Sequence, residues 1–328
     1  GTDSLYLGGV YGNSNSNYNT GVGIGALLQI GSDTRLNNTA IGFNAGNALT
    51  TGDDNVFIGY KAGNVTTNVH KSVMIGSYYD ITYGDGSAIM TSSDADGTVA
   101  IGHYAGKSIT SAAGNTAIGH KSLMTNSSGD FNTAIGHNSL IFLLNADKNT
   151  AIGTVSGYSV TTGSNNTFIG HQAGEYVTTG NYNTMLGYRT GWGATGTRIT
   201  GSHNTCMGYN SAYHLEGDGA YNTLIGYESG NSITTATYNT CIGYNAGYLI
   251  NRTLQNYNTC IGNDSSVYIG VYRSITIGNN ASTETTVDAL AITLTSVDAL
   301  TLTDGVANLT LGGTGVTSLS GATTVDLD

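Results

Sequence analysis

The sequence predicts an all-β fold, a β-solenoid (β-roll) of about 17-residue coils, and three observations carry the prediction. A glycine returns every 17 residues behind Asn-Thr-Ala-Ile, as in Asn115–Gly119, Asn132–Gly136 and Asn149–Gly153. The slots before that glycine hold β-branched and apolar residues, which suit a strand. The chain has 328 residues with 49 Gly, no Pro and 9% charged residues, far below the roughly one-quarter of an ordinary soluble domain. The apolar share of 39% is too high and too regular for a disordered chain.

The register starts at Gly8, Gly25, Gly42 and Gly59 and ends at Gly262. Side chains of a strand alternate faces, so Thr and Ile point one way and Ala the other. The Ala slot holds Ala117, Ala134, Phe57, Phe168, Met185 and Cys241, apolar residues of every size. A strand apolar on both faces is buried on both. One face lines the coil, and the other needs a partner, for which identical chains around an axis are the simplest source. Those six residues are assigned here to the contact between copies, and Ala117→Asp is expected to block assembly where Asn126→Asp does not.

The closing Gly permits a positive-φ turn. A small pair such as Ala173-Gly174 follows, then a second short strand around Val160, Val177 or Ile233, then a polar turn such as Thr178-Thr179-Gly180-Asn181. Two strands and two turns thus make one coil. Asn recurs four residues before Gly and predicts a hydrogen-bonded ladder from rung to rung. Fourteen steps of ~4.8 Å give a stack of about 65–70 Å.

The period is broken between Gly76 and Gly102, with Asp85, Asp94 and Asp96, and between Gly187 and Gly208, with Arg189, Trp192 and Arg198. Such insertions map to loops, often on a binding face. The domains expected are the repeat β-roll over 1–262, a transition over 263–286 and a β-rich fibre shaft over 287–328. In the shaft, Val-Asp-Ala-Leu repeats are too short to bury a core without intertwining chains.

Candidate binding residues are Trp192, Arg189 and Arg198 in the insertion, and the aromatic column Tyr182, Tyr221, Tyr238 and Tyr257, joined by Tyr18 and Phe131. Exposed aromatic rows offer apolar faces to sugar rings, or else form a packed ladder holding rungs together. His103, His120 and His137 follow the motif glycine and are candidate metal ligands; the same slot accepts Phe43 and Tyr60, which makes a flat-ring column the simpler reading. The acidic insertion lacks the spacing of a calcium loop and reads as solvated. Cys206, Cys241 and Cys260 sit in the Ala slot and read as small buried hydrophobes. The formal net charge of −11 disfavours nucleic acid. No segment has 18 consecutive apolar residues, so no membrane insertion is expected. No catalytic constellation is present, and no cofactor is expected.

The pattern Asn-Thr-Ala-Ile-Gly-x-x-Ala-(Gly/Leu)-x-x-x-Thr-Thr-Gly resembles the repeats of phage tail-fibre proteins, which often end in an intramolecular chaperone. It is similar also to the heads of trimeric autotransporter adhesins, with their Val-Ala-Ile-Gly core. The resemblance spans about residues 4–280 and implies a homotrimer of β-rolls. It implies a virion tail location, contact with a host cell-surface glycan or protein receptor, and attachment to other tail proteins. A bacterial surface adhesin or filament and a polysaccharide-cleaving tail spike are the alternatives; an ice-binding rod would need an exposed Thr column not shared with Ile.

Overall fold

The computed structural model describes residues 5–7, 18–28, 36–77, 95–193, 197–250, 256–265 and 275–277. Among them, sixteen three-residue strands form one parallel sheet in which each strand pairs with its sequence neighbour. The register keeps like on like: Thr116, Ala117 and Ile118 lie against Thr133, Ala134 and Ile135. This is a β-solenoid of about 17-residue coils, with one strand per coil. Both insertions leave the stack undisturbed, since Val73 pairs directly with Val99 and Thr184 with Thr205. The sheet runs past residue 262 to Ile275–Ile277, which pairs with Thr259–Ile261. The shaft expected over 287–328 lies outside the described residues, as do Asp85 and Asp94.

Among the described residues the second strand of each coil is not formed. In its place stand turns, with isolated bridges at Val177–Ile199 and Ile199–Gly217. The reason lies in the backbone. Each coil carries left-handed residues at fixed places, such as Lys121 (φ 57°) and Leu123 (φ 50°) shortly after the motif glycine. Successive left-handed turns prevent an extended run there.

The structure reverses the assignment of the two strand faces. Ala117, Ala134, Phe57, Phe168, Met185 and Cys241 are fully buried inside their own coil. They are core residues, not contacts between copies. In four coils the size of this residue is offset by the one four residues after the motif glycine. Ala117 and Ala134 are matched by Leu123 and Leu140, whereas Phe57 and Phe168 are matched by Gly63 and Gly174. A Cβ at Gly157 would lie 2.8 Å from both Leu140 and Phe168. Where a coil pairs small with small, as at Ala151 and Gly157, large side chains of the neighbouring rungs fill the space, as close packing requires. Ala117→Asp would bury a charge in this core and unfold the coil. Asn126 is no neutral control either: it is buried and bonds Gly129 through both its amide nitrogen and its oxygen.

The first coils also shift register. Strand Thr20–Val22 pairs with Thr39–Ile41, so the motif glycine is Gly23 (φ 125°), not Gly25. Asn19, four residues earlier, then takes the ladder position and accepts from Asn38.

That ladder is the polar spine of the interior. Asn115, Asn132, Asn149, Asn166, Asn183, Asn204, Asn222, Asn239 and Asn258 are buried. At each step the next Asn donates its backbone N–H to the preceding Oδ1, as Asn183 does to Asn166 at 2.9 Å. The amide NH2 also reaches a turn carbonyl, as Asn166 does to Gly180 at 2.9 Å. Ser72 and Thr98 replace Asn on two rungs, and the backbone N–H of Thr98 donates to Ser72 Oγ.

The cysteines are buried and free. Burial pushes the Cys206 thiol up to about 12 from 9.0. A hydrogen bond to Cys260, then burial, holds Cys241 well above its ordinary value. At pH 8 the Cys206 thiolate fraction falls about 1,000-fold, and reaction with a disulfide reagent such as DTNB slows accordingly. Folded protein is expected to leave Cys206 unmodified over hours, and denaturant to release all three thiols; prompt labelling of Cys206 in the native state would contradict this placement.

Candidate functional site

Outward positions alternate along each rung: the aromatic column, the Thr slot, the Ile slot, then the residue after the motif glycine. Ile152, Ile169, Met207, Ile242 and Ile261 are each 37% exposed and Ile41 is 41% exposed. The Thr slots beside them are half-buried. The apolar face without a partner is therefore the Ile face.

Tyr182, Tyr221, Tyr238 and Tyr257 are exposed, and His203 joins them in one continuous stack. Ring centroids lie 5.0 Å apart for Tyr182–His203, 4.7 Å for His203–Tyr221, 4.7 Å for Tyr221–Tyr238 and 4.8 Å for Tyr238–Tyr257, with planes within 10°. The rings are eclipsed because the rungs are spaced by ~4.8 Å and each residue takes the same left-handed backbone. Faces inside the stack are covered by neighbouring rings, so its inner members present edges and hydroxyls outward. Of the two expected roles, this geometry is that of the rung-to-rung ladder.

A second stack follows the motif glycine: His171, Tyr188, Tyr209, Tyr227 and Tyr244 at 5.1–5.4 Å. His103, His120 and His137 belong to the same column, with centroids 5.4 and 5.1 Å apart and planes within 8°. Parallel imidazoles a full rung apart do not converge, whereas Zn–N bonds of ~2.0 Å require donors about 3.3 Å from each other. Among the described residues no group of three or more His, Cys, Asp or Glu side chains is placed to hold a metal ion. The His120 imidazole is lowered from its ordinary 6.5, by burial first and then by Lys121, His137 and His103.

Trp192 and Arg189 meet, and Arg198 is exposed. Trp192 Nε1–H donates to Glu175 Oε2 at 2.7 Å, and Gln172 Nε2 donates to the same oxygen at 2.7 Å. Arg189 Nε donates to Gln172 Oε1 at 2.8 Å. The Arg189 guanidinium lies over the Tyr188 and Trp192 rings at 5.2 and 5.3 Å. Tyr213 stacks on the indole at 4.9 Å, and Tyr176 meets it edge-on. Burial first, and then Glu175, raise the Tyr176 phenol. Trp192 is thus clasped between rungs and has its donor satisfied, which makes it a brace for the insertion more than an open platform. Glu175, Gln172 and Tyr213 were not singled out from the sequence; the signal available was their position two or five residues after a motif glycine, in register with Arg189 and Trp192.

A second polar ladder runs six residues before the motif glycine. The backbone N–H of Ala113 donates to Asp130 Oδ1, that of Asp130 to Asp147 Oδ1, and that of Asp147 to Ser164 Oγ. In the same column His70 Nδ1 accepts the Asp53 N–H at 3.1 Å, and the His70 N–H donates to Asp96 Oδ1 at 2.8 Å. An accepting Nδ1 places the ring proton on Nε2, facing Asn68 Oδ1 at 3.2 Å. The 3.8 Å approach of Asp53 Oδ2 to His70 Nδ1 is then no ion pair.

No protein-family model, curated protein or solved structure matches this chain. Among the described residues no helix is long and apolar enough to cross a membrane.

Proposed function

We propose that the chain is a segment of a homotrimeric fibre, of the phage tail-fibre type its repeats resemble, that contacts glycan-bearing surfaces. One observation carries the reading: the apolar row from Val22 through Ile152 to Ile261, one residue per rung and half-buried or exposed in a single chain, on the face opposite the filled core. Thirteen intervals of ~4.8 Å and a width of about four residues give roughly 800 Å², the area one partner contributes to an interface of standard size. Thr or Val beside each Ile supplies β-branched surface with few charges to desolvate. Three such faces meeting at an axis complete the burial that one chain leaves open. The column edges, with their rows of Tyr hydroxyls, then stay outward for a polar ligand such as a glycan.

Sedimentation velocity tests the assembly. The expected particle has three times the 33.7 kDa of the chain. The pair Ile135→Asp and Ile152→Asp is expected to weaken association at least 100-fold and to leave the β-sheet circular dichroism intact. A wild-type monomer at micromolar concentration would end the proposal.

A further inference from the structure

The outward column that carries the stacked rings lacks side chains on two successive rungs. Its residues are Asp54, Lys71, Gly97, Gly114, Phe131 and Lys148 over six successive rungs, so two glycines stand where other rungs carry side chains. The result is a cleft of about 570 Å³, within the range of small-ligand sites. A Cβ on Gly114 would lie 2.7 Å from Phe131 Cδ1, so the Phe131 ring lies over Gly114. A Cβ on Gly97 would meet nothing within 4 Å. Between that ring and Lys71 the ladder therefore lacks a member, over about two rungs or ~10 Å.

We infer that this notch is a binding site for one uncharged pyranose unit, stacked on Phe131 in place of the missing rung. The inference rests on the glycan half of the proposed function and not on the trimer. Phe131 is 61% exposed, and among the described residues no ring is stacked on it, in contrast to the inner Tyr residues of its column. An aromatic face of this kind takes the C–H face of a sugar. The rim supplies hydroxyl partners. Asp54 uses Oδ1 to accept from Asn37 and Asp96 uses Oδ1 to accept from His70, which leaves the second oxygen of each for a ligand donor. Lys71 lines the far end and is in no ion pair among the described residues. With Asp53, the cleft carries three carboxylates against one ammonium. That balance rejects uronic, sialic and phosphorylated sugars by like-charge repulsion. Stacking together with convergent acceptors and one donor is the combination a polyhydroxylated ring requires.

The test uses the full chain with methyl glucoside, galactoside and mannoside, read by saturation-transfer NMR and calorimetry, with glucuronic acid as the anionic control, and with a glycan array. Gly97→Tyr fills the vacant rung: its φ of 68° is close to the 58° at Tyr182, so the ladder closes and the fold is kept. Phe131→Ala removes the platform at an exposed position. Each is expected to weaken binding of the preferred neutral glycoside at least tenfold with little change in melting temperature, and glucuronic acid is expected not to bind. Array binding that survives both substitutions overturns the notch and leaves the surface-glycan reading standing. An array blank for the wild-type chain overturns both. Preference for glucuronic acid, or uptake of a planar cationic dye that no neutral glycoside displaces, also overturns it.

Discussion

Gly119→Ala is expected to destabilise the solenoid by about 3–5 kcal/mol, measured by denaturant unfolding. The motif glycine sits at φ 126°, a region that costs an L-residue about 1–3 kcal/mol by itself. A Cβ there would also lie 2.5 Å from the Gly136 carbonyl oxygen and 2.8 Å from its carbon. Neither atom can yield, because they belong to the next rung, whose N–H donates to Ile118 O at 2.8 Å. Relief must come from parting two rungs, which breaks the sheet register. Since each repeat contacts only its neighbours, the loss need not spread evenly. The variant is expected to unfold in two separated transitions, on either side of the altered rung. Gly97→Ala is the internal control: it has positive φ but open space, and its cost is expected near 1 kcal/mol. Equal costs at the two sites would show that backbone strain alone, not the close approach of rungs, fixes the motif glycine.

Much of this arrangement was legible in the sequence. The 17-residue period gave the coil, and Asn four residues before Gly gave the ladder, because both repeat where nothing but stacking explains them. The insertions were rightly separable, since the strands on either side keep the same Thr-x-Ile spacing. Which strand face lies inside was not legible from alternation, because both columns are apolar. A partial signal lay across the coil, in Ala117 with Leu123 but Phe168 with Gly174, a pairing that Ala40–Gly46, Ala100–Gly106 and Ala151–Gly157 do not follow. Volumes that offset each other must share one interior. The register error at Gly25 arose because Gly25 happens to lie 17 residues before Gly42; Asn19 and Tyr18 marked the correct rung. The aromatic column and its reading as a packed ladder were visible, but the choice between ladder and sugar platform was not, since the eclipsed geometry depends on a left-handed backbone shared by Tyr, His and Phe alike. The same column shows why two glycines in succession, at 97 and 114, matter more than the many glycines elsewhere.

Asn166→Leu, which keeps the number of side-chain heavy atoms and the branch at Cγ, is expected to cost about 4 kcal/mol. Asn166 Oδ1 accepts from both the backbone N–H and the side-chain amide of Asn183, at 2.9 and 3.2 Å. Its own amide donates to Asn149 Oδ1 and to Gly180 O, at 3.0 and 2.9 Å. Leucine removes all four bonds and leaves the Asn183 N–H and the Gly180 carbonyl buried without a partner. Each such group costs about 1–3 kcal/mol, and no water can reach a fully buried position to compensate. Asn166→Asp should be as damaging, because its carboxylate keeps the acceptor but cannot donate to Gly180 O, and it carries a buried charge. Asn166→Ser is expected to recover part of the loss, as Ser72 and Thr98 serve on their own rungs. The rank order Ser above Leu, read as unfolding midpoints, separates a ladder of hydrogen bonds from a site that only requires volume. Were Leu to match or exceed Ser, the polar spine would contribute shape alone, and the interior would be held by its apolar column.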